Sequence, residues 1–225
     1  MRLEIIQSLQ IIIIALLSYI PTVTITGWFE AWVAKKCGDD VPEQFGFLTL
    51  DPIVHFNIIG FGFLLVGKLL GDYVPFFRDI PGWGRYMPLN PSETGGWRIA
   101  LEFNARAIAH FVLALVALIG IVQCMKSGYM GFDWSVTAQA SSTMSSLIHV
   151  IQFFYSQNMM LCIIYFAIGT FRTCMTYWFP DFYIFSSQHM LWGMLILFGA
   201  IIICAEAFRF IIAKLMASMV YMLVM

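Results

Sequence analysis

Gly46-Phe47-Leu48-Thr49-Leu50-Asp51-Pro52-Ile53-Val54-His55-Phe56-Asn57-Ile58-Ile59-Gly60 is the stretch on which the reading of the fold turns. Here a polar, acidic segment, Lys35 to Asp51 with Asp39, Asp40 and Glu43, gives way to a charge-free run, Pro52 to Gly67. Further charge-free runs lie outward from it: Ile5 to Phe29, Ala107 to Met125, Trp134 to Phe171 and Phe182 to Ala205. At about 1.5 Å per helical residue, roughly 20 residues cross the hydrocarbon core of a bilayer. The first, third and last of these five runs therefore fit one helix each. Pro52 to Gly67 is short and reaches spanning length only by absorbing Lys68. Trp134 to Phe171 is longer than one span needs, and Ser135 to Ser146 is too polar for lipid, so its helix is expected to start near Ser146.

The whole chain supports a membrane location. Of 225 residues, 60% are hydrophobic and 11% charged, and the mean hydropathy is +0.83, too apolar for a soluble core of this size. Backbone in lipid must satisfy its own hydrogen bonds, which favours helices, and the short alternating segments of an outer-membrane barrel are absent. The expectation is an all-α, polytopic transmembrane bundle of five helices, or six if Met216 to Met225 re-enters. No repeat, linker or composition shift divides residues 1–225, so one integral membrane domain is expected. Arg2 before an Ile-rich core resembles a secretion signal, but the run is too long and lacks a small-x-small cleavage pattern, which marks it as a retained helix. Five crossings would put Arg2, Arg78, Arg85, Arg98 and Arg172 on one side and Lys35, Lys36, Lys126, Arg209 and Lys214 on the other, so the positive-inside rule is silent on orientation. Five cysteines with no Cys-x-x-Cys pair suggest neither a disulfide framework nor a zinc knuckle. A net charge of -1 without a basic block gives no support for nucleic-acid binding.

Several polar and small residues stand out. Glu102, Arg106 and His110 recur every fourth residue along one face of the third long helix, where charge normally faces protein or water. An intrahelical Glu102–Arg106 pair is the plain reading; a seam gripping a partner helix, or a proton path, is the functional one. Gly60, Gly62, Gly67 and Gly71 suit close helix contact, and Lys68 between the last two is expected to reach for the interface. Pro21 should kink the first helix. Tyr73 to Trp97 combines four prolines, two tryptophans and arginines in the manner of a loop at headgroup level.

The quoted stretch resembles the Gly-x-Leu-Thr-Leu-Asn-Pro-Leu-x-His-x-Asp-Pro-x-Gly segment of the site-2 protease family. Ala31 to Asp39 is similar to its Ala-Tyr-x-Ala-x-x-x-Gly-Asp stretch. Trp83 to Pro91 resembles its Pro-Val-x-Val-Asn-Pro loop, and Ala105 to Leu115 its Ala-Gly-Pro-x-Ala-Asn-Leu-x-Leu-Ala-Leu helix, with Arg106 for the glycine and His110 for the asparagine. The order agrees over roughly Thr26 to Leu115. The resemblance implies a site-2 protease-like bundle, and in that family a His-Glu-x-x-His helix binds zinc. Here Thr26-Gly27-Trp28-Phe29-Glu30 stands in its place: Thr26 and Glu30 at the histidines, Gly27 at the catalytic glutamate. The third ligand, an aspartate in the family, falls near Arg172-Thr173-Cys174 if Asn158 opens that segment. Zinc hydrolysis needs three protein ligands and a proton acceptor, so the resemblance implies a pseudoprotease without a cofactor, a scaffolding subunit whose partners are the bilayer and other membrane proteins. One alternative is an active metalloprotease with relocated ligands drawn from Glu30, His55, His110 and Cys174. Another is a transport or proton-path subunit using Glu102, Arg106 and His110. Asn57, beside His55, completes the candidate polar or partner-binding residues. The plain reading of Glu30 is a partner for Lys35 or Thr26, and that of His55 an interfacial or packing histidine.

Overall fold

Helices account for every regular element in the computed structural model, which describes residues 2–70, 73, 80–90, 92, 94–131 and 134–178. In chain order they are α1 (Arg2–Cys37), α2 (Val41–Gln44), α3 (Pro52–His55), α4 (Ile58–Leu70), α5 (Arg98–Lys126) and α6 (Ser142–Trp178). Three are long and apolar enough to cross a membrane: Leu9–Cys37 within α1, Arg98–Lys126 and Ser142–Trp178. The crossing expected at Phe182 to Ala205 and the segment Met216 to Met225 lie outside the described residues.

Local chemistry sets the helix ends. α1 stops where Gly38 takes φ +108°, a conformation that costs glycine little. Gly38 N–H then bonds the Lys35 carbonyl and Asp39 N–H that of Ala34, which closes the last turn as a Schellman motif. The helix runs unbroken through Pro21, with Thr24 and Thr26 hydroxyls donating to the carbonyls of Ile20 and Thr22. α6 begins at Ser142 rather than near Ser146, because Ser141 caps it: its Oγ accepts from Met144 N–H at 3.2 Å.

α5 packs antiparallel to both other long helices. Glu30 meets Arg106, and Val33 and Cys37 of α1 share a cluster with Leu101 and Ala105. Toward α6, Phe103 lies by Gly169, His110 by Asn158, and Gly120 by Ile151. The largest apolar cluster sits between α5 and α6, with Ala114, Leu118 and Ile121 against Ile148 and Tyr155.

One expectation requires correction. Pro52 to Gly67 is not one spanning helix: it breaks at Phe56-Asn57, and α4, with 13 residues, rises only about 20 Å. Asn57 is the cause, since its Oδ1 accepts from Ile59 and Gly60 N–H and so caps a new helix. Asp51 caps α3 likewise through Ile53 N–H, with Pro52 in the first turn. Part of the proline-rich loop is also placed: its residues 80–90 run as an extended segment beside α1, where Gly82 abuts Tyr19, Gly84 abuts Val23, and Met87 and Leu89 join Ala31 and Ala34 in a buried cluster, while Arg85 and Tyr86 are exposed.

Where irregular backbone is buried, protein must answer its polar groups. Tyr19 does much of this. Its hydroxyl lies 2.8 Å from the Trp83 carbonyl and 3.0 Å from that of Asn57, and it accepts from Asn57 N–H at 3.2 Å. Its ring packs on Phe56 and Phe61 at 5.4 and 5.1 Å. Gly60 serves packing, but against this segment and not a helix: a Cβ there would stand 2.2 Å from the Trp83 carbonyl oxygen. Gly67 is buried in α4, and Gly71 lies outside the described residues. Lys68 places its ammonium 4.8 Å from the centre of the Phe153 ring. Tyr19→Phe keeps the ring and removes the hydroxyl, so it should destabilise the protein by about 1–3 kcal/mol. Hydrogen exchange at Asn57 should rise; unchanged exchange there and an unchanged unfolding midpoint in detergent would contradict this assignment.

Candidate functional site

Thr22, Thr26 and Glu30 recur every fourth residue on α1 and share its buried face. Opposite them stands the equally spaced face of α5, where Glu102, Arg106 and His110 are all buried. Arg106 does not pair with Glu102 in its own helix. Its guanidinium Nη2 reaches Glu30 Oε2 at 2.5 Å, with the two side chains 7% and 8% exposed. It also donates to the Arg85 carbonyl at 3.1 Å and to Tyr165 Oη at 3.3 Å, and lies 5.2 Å from the centre of the Tyr165 ring. One cation thus joins α1, α5, α6 and the extended segment. Glu30 is committed to neither Lys35 nor Thr26, because Lys35 pairs with Glu43 and Thr26 bonds the Thr22 carbonyl.

A second polar link lies one turn along α5. His110 Nδ1 stands 2.9 Å from Asn158 Oδ1, and Asn158 Nδ2 donates to Thr22 Oγ1 at 3.1 Å. An amide oxygen only accepts, so His110 carries its proton on Nδ1. The imidazole stacks on Tyr165, centroids 5.3 Å apart and planes at 6°. The polar seam expected on α5 therefore exists, and it grips α1 and α6 of the same chain.

His55 closes the third side. α3 carries it beneath α1, where Nε2–H donates to the Thr49 carbonyl at 2.7 Å and its own carbonyl accepts from Arg85 N–H at 2.8 Å. Nδ1 points at Gly27, where a Cβ would stand 2.3 Å away. Glycine at the position of the resembled glutamate is thus a packing requirement of this histidine. His55 is buried against Phe47, as a packing histidine. Burial pushes its pKa below the ordinary 6.5, with the nearby Arg106 acting in the same direction and the Thr49 bond, Glu30 and Asp51 opposing.

The remaining candidates separate from this centre. Glu102 is fully buried near the end of α1, with Thr94, Asp39 and Arg172 as its electrostatic neighbours. Asp39 anchors the extended segment, accepting from Asn90 N–H at 2.6 Å and from Val41 N–H at 2.9 Å. Asn57 serves α4 and Tyr19, as described. Thr173 bonds the Gly169 carbonyl of its own helix and lies roughly 12 Å of helical rise beyond Tyr165. Among the described residues no three of His, Cys, Asp and Glu gather closely enough to share a metal, so Glu30, His55, His110 and Cys174 do not converge. Sequence reasoning missed Tyr19, Thr22, Arg85 and Tyr165, and treated Asn158 only as a motif position. The i, i+4 spacing of Thr22 with Thr26 and Glu30 was the available signal for one of them.

Gly27→Ala should cost about 1–3 kcal/mol by overpacking against His55. His55→Ser should relieve most of that cost in the double variant, and an additive double variant would contradict the contact. His55 also sets a pH dependence. In the unfolded chain it titrates near 6.5 and in the fold below that, so the unfolded state binds the extra proton first. Its contribution is complete above 6.5 and declines as pH falls from there. Unfolding midpoints should therefore drop more on acidification in the wild type than in His55→Gln; parallel pH profiles would contradict this.

Comparison with known proteins adds no further assignment: no protein-family model, curated protein or solved structure matches the chain.

Proposed function

We propose that this chain is a catalytically inactive membrane protein of site-2 protease type, a structural or scaffolding subunit that binds other membrane proteins. The observation that carries the reading is the Arg106 guanidinium against Glu30. Zinc hydrolysis requires neutral or anionic ligands around a divalent cation and a free proton acceptor. At the resembled positions Thr26 bonds its own helix, Gly27 lacks a side chain and receives His55, and Glu30 holds a fixed cation. A second cation beside that guanidinium would meet like charge in a medium that screens poorly. With the chemistry gone, what the bundle still offers is helical surface in the bilayer. Leu9, Ile13 and Leu17 of α1 and Val112, Val116 and Ile119 of α5 are exposed and available to lipid or to a partner's helices.

A transport role is the second reading. The linked groups Thr22, Asn158 and His110, then Tyr165, Arg106 and Glu30, favour it, because buried ionisable groups often mark ion paths. Its test is transport after apolar replacement of Glu102, Arg106 and His110; transport left intact would refute it.

Purification from native membranes tests the scaffold. The expected result is substoichiometric zinc and a membrane partner recovered in fixed ratio. Stoichiometric zinc that is lost in Glu30→Gln, or cleavage of a transmembrane substrate that chelators abolish, would overturn it.

A further inference from the structure

Three acceptors converge on the Arg106 guanidinium, and none belongs to the helix that carries it. Glu30 Oε2 comes from α1, Tyr165 Oη from α6 and the Arg85 carbonyl from the extended segment, at 2.5, 3.3 and 3.1 Å. The Tyr165 ring adds an aromatic face 5.2 Å from Cζ. One carboxylate, one carbonyl, one phenol and one π-face make up the recognition set of a planar monovalent cation. The acceptors are aligned by the bundle itself: Tyr165 is fixed by stacking on His110, Arg85 by its N–H bond to His55, and Glu30 by α1. Arg106 enters a site that other elements have built.

We propose that this position is a cation-binding site of the bundle, selective for planar guanidinium-type ions, and that the chain fills it with its own side chain. The proposal concerns this site alone and does not rest on the scaffold reading. The charge and shape of Arg106 then hold the helices together, more than its bulk does. Truncation leaves the acceptors in place with nothing between them, so a free guanidinium ion takes the position by mass action.

The test is Arg106→Ala, purified in detergent and unfolded thermally with millimolar guanidinium chloride, sodium chloride or urea, concentrations far below the denaturing range. The midpoint should fall in the variant. Guanidinium should return at least half of the loss in a saturable manner, with no response to sodium or urea and none in wild type. Glu30→Gln/Arg106→Ala should lose the response. No recovery, equal recovery by urea or sodium, or the same rise in wild type would overturn the proposal. Should Arg106→Ala yield no folded protein, Arg106→Lys and Arg106→Met decide between charge and bulk. Lys should give a several-fold higher folded yield than Met, and a Met yield equal to or above that of Lys would refute the cation site.

Discussion

A carboxylate and a guanidinium meet between α1 and α5, each less than a tenth exposed, in a protein built of long apolar helices. Neither charge is tolerable there alone. Removing one partner of such a pair typically costs about 3–5 kcal/mol, because the other is left buried and uncompensated. The pair therefore constrains everything near it: α1 and α5 must present Glu30 and Arg106 to each other, and α6 must bring Tyr165 alongside. The guanidinium has donors to spare, and one goes to the Arg85 carbonyl, which places the extended segment in the same frame. A fixed cation at the centre stabilises anions and repels further cations.

The second constraint follows from the first. Residues 80–90 and the break at Phe56-Asn57 set non-helical backbone beside α1, where its buried polar groups need partners. Side chains do so instead. Tyr19 serves Asn57 and Trp83, Arg106 serves Arg85, Asp39 serves Asn90, and the His55 backbone bonds Arg85 while its ring bonds Thr49. The extended segment is thereby stitched to α1 at Trp83, to α5 at Arg85 and to the turn after α1 at Asn90. Gly27 and Gly60 belong to the same arrangement, since a side chain at either would push His55 or Trp83 out of place.

Much of this was legible where the signal is local. The apolar runs located α1, α5 and α6, and the four-residue spacing put Glu102, Arg106 and His110 on one buried face. What a neighbour in sequence cannot show is a partner on another helix. Helical spacing favoured Glu102 for Arg106 and Thr26 for Glu30, yet both gave way to a contact that depends on how α1 and α5 cross. Composition likewise marked the proline-rich loop only by its prolines and tryptophans. It could not show that residues 80–90 are held beside α1 by Tyr19, Arg106 and Asp39, each far away in the chain. The break at Asn57 was hidden for a related reason: an apolar run advertises a helix, and one capping side chain within it interrupts the helix without changing the hydropathy.

The most direct test of the account is an NMR distance in lipid bilayers between the Arg106 guanidinium nitrogens and the Glu30 carboxylate carbon, by dipolar dephasing with Glu30→Gln and Glu102→Gln samples to assign the signal. Strong dephasing that disappears in Glu30→Gln and survives in Glu102→Gln is expected. Dephasing that instead survives in Glu30→Gln and disappears in Glu102→Gln would contradict it.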